Sequence, residues 1–253
     1  MTTALITGAS SGLGAEFAAQ LAARGADLVL VARDRDALDR VAVGLRDRYG
    51  VVVEVLVADL TVARQLARVE ARVGSTERPV EVLVNNAGFG LPLAFERNDI
   101  GAEVRHLRLH VEAAMRLTHA ALGAMLARGH GRIVNIASIA AFMPRSTYGA
   151  VKAWLVSFSR WANVRYAPRG VTVTAVCPGF VHTNFHERLG LPPGQEGIPG
   201  ALWLEAPDVV REGLRDAARG KGVSIPSLRY KAIAVLLRFL PASLTARIGE
   251  QGR

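Results

Sequence analysis

The chain has 253 residues, half of them hydrophobic, which is enough to bury a large core and fits one large α/β domain. The net charge of +9 would suit a nucleic acid or an anionic membrane, but the basic residues are scattered arginines with three lysines, which argues against a binding patch. The single cysteine, Cys177, excludes an intrachain disulfide. No signal peptide or apolar run of membrane-spanning length is visible, so we expect a cytoplasmic location.

Apolar runs alternate with helical stretches along the whole chain, with no linker, repeat or low-complexity segment between them. This alternation favours a single domain over residues 1–253. The predicted strands lie at 3–7, 27–32, 51–60, 132–137 and 222–226, and two more begin at 80 and 171. The predicted helices follow the first strand and cover 34–49, 61–74, 102–128 and 207–219, with one more that ends near 166.

The first strand leads into a glycine-rich turn and then into an amphipathic helix. Gly8, Gly12 and Gly14 have the spacing G-x-x-x-G-x-G, a variant of the commoner dinucleotide-binding pattern. Glycines in such a turn let the backbone approach a pyrophosphate, and the positive N-terminus of the next helix faces its charge. A strand–turn–helix without a ligand has a similar pattern, but the flanking elements favour dinucleotide binding.

The end of the second strand bears on the choice of dinucleotide. An acidic residue at this position would accept hydrogen bonds from the adenosine ribose and select NAD, whereas Arg33 favours the 2′-phosphate of NADP. Ser10 and Ser11 can add hydroxyl contacts to that phosphate. Asp34 comes one residue too late for the NAD role and is a candidate cap for the next helix. We therefore predict NADP(H) as the cofactor.

The later strand ends supply further candidate cofactor contacts. Asp59 and Leu60 end the third strand, where an adenine would lie, and the fourth strand runs into residues 85–88. Asparagines at a strand end commonly tie loops together, and this structural role can coexist with lining a cofactor. Near the end of the sixth strand, Thr183 is a candidate to bond a phosphate or a carboxamide.

A strand that turns into a helix contains the candidate acid–base chemistry. Tyr148 and Lys152 are four residues apart, so both side chains lie on one face of a helix. An ammonium beside a phenol favours the phenolate, so we expect Tyr148 to titrate nearer neutrality than a free tyrosine. Ser138, at the strand end, could hold a carbonyl oxygen against that phenol. Taken alone, however, such a pair is a common solvated pair of surface residues.

Two segments near the end of the chain are apolar. The loop 184–206 contains five glycines and three prolines, and we interpret it as a lid or substrate loop with a short helix over an apolar pocket. The tail at 228–253 is an apolar stretch flanked by basic residues. It is interpreted either as a helix that packs on the body or on a partner subunit, or as an interfacial membrane anchor; packing is favoured.

Four motifs resemble those of the short-chain dehydrogenase/reductase family: TGASSGLG at 7–14, NNAG at 85–88, Ser138 with YGAVK at 148–152, and PGFVHT at 178–183. Their order and separations extend the resemblance over nearly the full chain. It implies an α/β, doubly wound Rossmann fold, with a seven-stranded parallel sheet and helices on both faces.

The resemblance also implies a division of labour within the domain. Residues 1–130 would be mainly the cofactor half, 131–227 the catalytic and substrate half, and 228–253 a C-terminal apolar helical tail. Family members are commonly dimers or tetramers built on the long helices, so a homodimer or homotetramer is implied. No metal is expected.

Site roles carried over from the family fall on matching residues. Tyr148 would be the general acid/base, Lys152 would lower its pKa and hold the nicotinamide ribose, and Ser138 would orient the substrate oxygen. The cofactor would be lined by Gly8, Ser10, Ser11, Gly12, Leu13, Gly14, Arg33, Asp59, Leu60, Asn86, Ala87, Gly88, Tyr148, Lys152, Pro178, Gly179, Val181 and Thr183.

Two positions depart from the family pattern. His110 takes the place of an asparagine that completes a proton relay through water to the lysine, and we expect His110 to tune the rate without abolishing catalysis. The interval from Ser138 to Tyr148 is shorter than usual, which makes the role of Ser138 less secure than that of Tyr148.

The sequence thus predicts an NADP(H)-dependent oxidoreductase that interconverts a carbonyl and an alcohol on a small, apolar substrate. Two other functions remain open. One is a catalytically impaired NADP-binding regulatory or interaction protein, suggested by His110 alone. The other is a peripheral membrane enzyme for lipid-like ketones, held on the bilayer by its tail.

Overall fold

A computed structural model describes residues 2–183, 185, 198–237, 239–241 and 245. Its strands are β1 Thr3–Thr7, β2 Asp27–Ala32, β3 Val53–Val57, β4 Val82–Asn85, β5 Gly131–Ile136, β6 Val171–Val176, β7 Phe180–Val181, β8 Trp203–Leu204 and β9 Val223–Ser224. Its helices are α1 Gly12–Ala22, α2 Arg35–Tyr49, α3 Ala63–Val73, α4 Ile100–Leu107, α5 Ala114–Arg128, α6 Ser146–Tyr166, α7 Ala206–Ala218 and α8 Leu228–Leu237. A π-helical segment, Arg108–Ala113, joins α4 to α5.

Seven strands form one parallel sheet in the order β3-β2-β1-β4-β5-β6-β9. Every neighbouring pair in it is parallel, with Leu5 opposite Val29 on one side and Leu83 on the other. The chain order reverses between β1 and β4, so the sheet has a switch point there. The predicted α/β, doubly wound fold is therefore confirmed, and a crevice is expected outside the carboxyl ends of β1 and β4.

Two apolar layers hold helices against the two faces of the sheet. One layer packs α1, α2 and α7 through residues such as Phe17, Leu38 and Val210. The other packs α3, α5 and α6 through residues such as Leu66 and Met125. The strands have apolar side chains on both faces because both are covered, as parallel sheets require.

The predicted long helix at 102–128 is helical, but its apolar residues do not mark its buried face. Val104, Leu107 and Met115 are 39, 53 and 44% exposed. The buried positions include His106 and His110 instead. The buried face runs at α-helical spacing and begins with polar residues that face the site, so an apolar pattern alone points to the wrong face.

Smaller differences occur near the end of the chain. The short strands β7 and β8 pair in a separate parallel ribbon that the sequence analysis did not predict. Within the loop 184–206 the described helical segment is a single 3₁₀ turn, Gly200–Leu202, while residues 184 and 186–197 lie outside the described residues. Helix α8 packs on the body through Tyr230, Ala234 and Leu237. No helix within the described residues is long and apolar enough to cross a membrane.

Candidate active site

The glycine-rich turn after β1 has the backbone shape of an anion-binding site. Gly8 and Gly12 have positive φ angles of +66° and +55°, which side chains disfavour. A Cβ on Gly14 would lie 2.1 Å from the carbonyl oxygen of Gly8, so helix α1 can approach the turn only with glycine there. The N-terminal N–H groups of α1 consequently face the end of the sheet, an arrangement that fits a pyrophosphate.

Side chains from β1 and the segment after β4 tie this turn to its neighbour. The Thr7 hydroxyl oxygen accepts hydrogen bonds from the backbone N–H groups of Asn86 and Ala87, both at 3.0 Å. The amide of Asn86 donates to the carbonyl oxygens of Thr7 and Gly8, at 2.9 and 3.2 Å. The structural role expected for the asparagines therefore holds for Asn86, which also lines the cleft described below.

The ends of β2 and β3 border the same opening. The side chain of Asp34 accepts a hydrogen bond from the Ala37 N–H at 3.0 Å and caps α2, as predicted. Arg33 is exposed beside it. Asp59 accepts hydrogen bonds from the backbone N–H and the hydroxyl of Thr61, which hold the turn after β3. Of Arg33, Asp34 and Asp59, Arg33 is therefore the residue whose charge can attract a phosphate.

Helix α6 presents Tyr148 and Lys152 one turn apart, with the Lys152 Nζ 5.5 Å from the centre of the phenol ring. Lys152 is 4% exposed, and its ammonium donates a hydrogen bond of 2.7 Å to the carbonyl oxygen of Ile136 at the end of β5. Burial lowers the pKa of Lys152 to about 7, slightly opposed by Cys177. The pair is therefore part of the interior and not a solvated surface pair.

Ser138 follows β5 by two residues and begins the 3₁₀ turn Ile139–Phe142. Its hydroxyl oxygen accepts a hydrogen bond from the Ala140 N–H at 3.2 Å, so the hydroxyl hydrogen can be donated elsewhere. The 3₁₀ turn and the three residues after it span the short interval to α6. Ser138 and Tyr148 both line the cleft in spite of this interval.

His110 lies in the π-helical segment and is 2% exposed. Its Nε2 is 2.8 Å from the carbonyl oxygen of Phe89, and its Nδ1 has no hydrogen-bond partner within the described residues. The ring lies against Gly88, where a Cβ would be 2.4 Å from the His110 Cε1. Burial, and after it the charge of Lys152, holds the pKa of His110 well below its usual range. His110 is therefore a neutral imidazole packed against the segment after β4.

A second histidine, His106, lies beside His110 and was not anticipated. The two ring centres are 4.4 Å apart, and the rings lie 6.1 and 5.9 Å from the Tyr148 ring. Burial, then Lys152, lowers the pKa of His106 to about 4, partly offset by Glu103. A cavity of about 10 Å³, the size of one water molecule, is lined by His110, Lys152 and Asn85 among others.

The predicted site residues converge on one cleft of about 1540 Å³ at the carboxyl ends of the strands. Gly14 is the exception, because it packs beneath Gly8 and Asn86 and does not line the cleft. Those that line it are Gly8, Ser10, Ser11, Gly12, Leu13, Arg33, Asp59, Leu60, Asn86, Ala87, Gly88, His110, Ser138, Tyr148, Lys152, Pro178, Gly179, Val181 and Thr183.

One wall of this cleft joins residues of the loop 184–206, which was expected to cover an apolar pocket, to residues of α8, which was not expected there. Apolar side chains from α8 and the segments before it line the end near Tyr148, and they include Met143, Phe185, Ile198, Leu202, Ile233, Leu236, Leu237 and Leu240. Tyr230 anchors this wall: its hydroxyl donates to the Leu202 carbonyl at 2.8 Å and accepts from the Phe180 N–H at 3.1 Å. The sequence shows that the tail is apolar, but it does not show which part of the fold the tail packs against.

Comparison with known proteins decides the family. The family model for short chain dehydrogenases matches residues 2–192. The chain belongs to the short-chain dehydrogenase family. This confirms the predicted family and the enzyme class, an oxidoreductase that acts on CH–OH groups.

Relatives in the short-chain dehydrogenase family cover most of the chain. An uncharacterized oxidoreductase from Staphylococcus saprophyticus is 34% identical over 183 residues, 71% of this chain and 78% of the relative. A short-chain dehydrogenase from Sphingobium yanoikuyae in complex with NADPH has a TM-score of 0.83 and 37% identity, covering 95% of this chain and 97% of that one. A bulky-bulky ketone specific alcohol dehydrogenase from Comamonas testosteroni has a TM-score of 0.81 and 33% identity, covering 95% of each chain.

Several other curated relatives are longer proteins, of which the chain spans 56–60%. Among these structural relatives, the enzyme from Sphingobium yanoikuyae is in complex with NADPH. In the present chain the glycine turn, Asn86 and the Tyr148–Lys152 pair all border the cleft at the carboxyl end of the sheet.

Proposed function

We propose that this short-chain dehydrogenase uses NADP(H) to interconvert a bulky, apolar ketone and its secondary alcohol. The observation that carries the proposal is the geometry of Tyr148 and Lys152. They lie one turn apart at the floor of the large cleft, beside Ser138 and next to the glycine turn. The proton donor for a substrate oxygen and the binding turn for a hydride-carrying dinucleotide therefore line the same cleft.

The residues of the glycine turn fit a dinucleotide. The positive φ angles at Gly8 and Gly12 and the close approach of Gly14 to Gly8 let the turn present backbone at the N-terminus of α1, as pyrophosphate binding requires. Thr183 packs over Gly12 from the opposite side. Exposed Arg33, with Ser10 nearby in the cleft lining, favours the 2′-phosphate of NADP. NADP(H), when bound, supplies or accepts the hydride.

The protein side of the reaction is a proton transfer. In reduction, the Tyr148 hydroxyl donates its proton to the carbonyl oxygen as the carbonyl carbon gains a hydride, which balances the conversion of a ketone to an alcohol. Lys152 stabilises the developing phenolate, and the Ser138 hydroxyl donates to the substrate oxygen and orients it. Lys152 would be favoured in its ammonium form once the negative charges of a dinucleotide lie in the cleft, because nearby negative charge raises the pKa of a buried lysine.

His110 stands where the family has an asparagine. The His110 Nδ1, which has no hydrogen-bond partner in the part of the chain that the structure describes, and the water-sized cavity shared with Lys152 support a proton path through one water molecule. In this proposal His110 tunes the rate, because Tyr148 remains the group that exchanges a proton with substrate. Exchange for the smaller asparagine is expected to change kcat modestly, and an increase of orders of magnitude would contradict this role.

The apolar wall supports the substrate class. Side chains such as Met143, Phe185 and Ile233 surround the space next to Tyr148, while the polar groups gather at the cofactor end. A substrate that buries aliphatic or ring surface on this wall gains free energy in proportion to its area. The structural relative specific for bulky-bulky ketones favours two large substituents on the carbonyl carbon.

Exposed apolar surface on the long helices supports a homodimer or homotetramer. Trp161 and Val164 on α6 are 56 and 79% exposed, and Leu107 at the end of α4 is 53% exposed. Apolar side chains in this arrangement are typical of an interface between identical subunits.

The decisive experiment is reduction of a bulky apolar ketone by NADPH with Tyr148→Phe beside the wild-type enzyme. Loss of the phenolic hydroxyl is expected to lower kcat by about 10²-fold or more, the size typical of general acid catalysis. NADPH affinity, measured by fluorescence titration, should change little because the ring remains. An unchanged kcat of Tyr148→Phe on a verified substrate would contradict the proposal.

A further inference from the structure

Glu103 is a buried carboxylate that the proposed chemistry does not use. It lies on α4 and is 7% exposed. Its Oε1 accepts a hydrogen bond from the Asn98 side-chain amide, and its Oε2 accepts one from the Thr147 hydroxyl, both at 2.7 Å. A carboxylate is costly to bury unless such bonds satisfy it, and bonds to a charged acceptor are stronger than neutral ones. Glu103 therefore holds both donors firmly.

Thr147 is the residue immediately before Tyr148, in the first turn of α6. This turn is strained, because Ser146 has a φ of +45°, in the left-handed region that a non-glycine residue seldom adopts. The Ser146 hydroxyl oxygen also accepts the Tyr148 N–H at 3.3 Å. Strained backbone persists only where surrounding groups hold it in place. The bond from Thr147 to Glu103 joins this strained turn to another helix.

The same face of the α4 and π-helical segments also contacts the phenol ring. Glu103, His106 and His110 succeed one another at spacings of three and four residues, which places them along one side of the helix. The two histidine rings pack on the Tyr148 ring, while Glu103 holds the residue before it. One helix face thus contacts both the backbone turn and the side chain that the reaction depends on.

We propose that Glu103, acting through Thr147, is a positioning residue that fixes the catalytic Tyr148 relative to Lys152 and the substrate oxygen. The proposal rests on the function assigned to Tyr148 above. Neither Glu103 nor Thr147 is among the described residues that line the cleft, so their effect reaches the reaction only through Tyr148. A displacement of the acid by about 1 Å is enough to lower a rate substantially without altering ligand contacts.

The test compares steady-state reduction of a bulky ketone by Thr147→Val, Thr147→Ser and Asn98→Ala. Valine keeps the shape of threonine and removes the hydrogen bond; it is expected to lower kcat about tenfold, with the NADPH dissociation constant within about twofold. Serine keeps the hydroxyl and should stay within about twofold of wild type. Asn98→Ala removes the other donor to the same carboxylate and is expected to leave kcat within about twofold.

The other possible results of this test overturn either the positioning role or the proposed function. Wild-type kcat in Thr147→Val overturns the proposal. Equal losses of kcat in Thr147→Val and Asn98→Ala, or a parallel loss of NADPH affinity, also overturn it, because they indicate a general structural role for Glu103. Tyr148→Phe in the same assay distinguishes failure of this positioning role from failure of the proposed function. If Tyr148→Phe retains full activity, the proposed function itself has failed.

Discussion

At the scale of single residues, burial determines what Lys152 can do. An exposed lysine is fully charged at neutral pH, but this ammonium lies in the interior and, among the described residues, donates to the carbonyl oxygen of Ile136 alone. The resulting pKa of about 7 leaves the charge dependent on what the cleft contains. The sequence predicted the partner of Tyr148 correctly, but the loss of water around it is a property of the fold.

We predict that stability of the cofactor-free protein rises with pH because of Lys152. The unfolded chain keeps the lysine proton up to its ordinary pKa of 10.5, whereas the folded chain loses it near 7. The unfolded state therefore binds more protons between these values, and the free energy of unfolding increases with pH. Between pH 7 and pH 9 the wild type should gain roughly 2 kcal/mol relative to Lys152→Met in urea denaturation. Parallel curves for the two proteins would contradict the shifted pKa.

At the scale of elements, the helices differ in how well a sequence pattern describes them. Helix α6, Ser146–Tyr166, holds Tyr148 and Lys152 one turn apart and ends near residue 166, as predicted. In the helical region before it, the buried face carries the polar residues Glu103, His106 and His110, while the apolar Val104 and Leu107 are exposed. Apolar periodicity therefore does not identify the buried face of this region, because tertiary contacts decide it.

The hydroxyl of Tyr230 on helix α8 is expected to stabilise the wall of the cleft. Tyr230→Phe removes a hydroxyl that bridges the Leu202 carbonyl and the Phe180 N–H, while the ring that packs against Gly179 stays. We expect the free energy of unfolding to fall by about 1–2 kcal/mol, since a partly buried N–H and carbonyl lose their partner. The KM for a bulky ketone should rise more than the KM for NADPH, because α8 forms the apolar wall. Equal changes in both KM values would mean that Tyr230 supports the cofactor end as well.

At the scale of the whole molecule, the cleft exists because the sheet reverses its strand order between β1 and β4. Residues that are far apart in the sequence, such as Gly12 and Thr183, come into contact across it. The polar cofactor end and the apolar substrate end then meet at Tyr148. The proposed reaction needs both ends, because hydride and proton have to reach the same carbonyl group.

The cofactor preference can be measured on the whole protein by thermal shift. NADPH is expected to stabilise the wild type more than NADH at equal concentration, because ligand stabilisation grows with affinity. Arg33→Ala should reduce the NADPH shift and leave the NADH shift nearly unchanged, since Arg33 would contact the 2′-phosphate that NADH lacks. Equal shifts for the two dinucleotides in the wild type would refute the NADP assignment, and no shift with either would contradict dinucleotide binding.

The sequence alone determined the order of strands and helices, the glycine turn and the Tyr148–Lys152 pair, because these depend on contacts between residues close in the chain. Asp34 as a cap of α2 is of the same kind. The tertiary structure decided which face of the 102–128 helix is buried, that α8 forms a wall of the cleft, and that Glu103 contacts Thr147 across 44 residues. Such contacts arise only when the chain folds back on itself, since apolar periodicity can indicate a buried face but not which distant residues it meets.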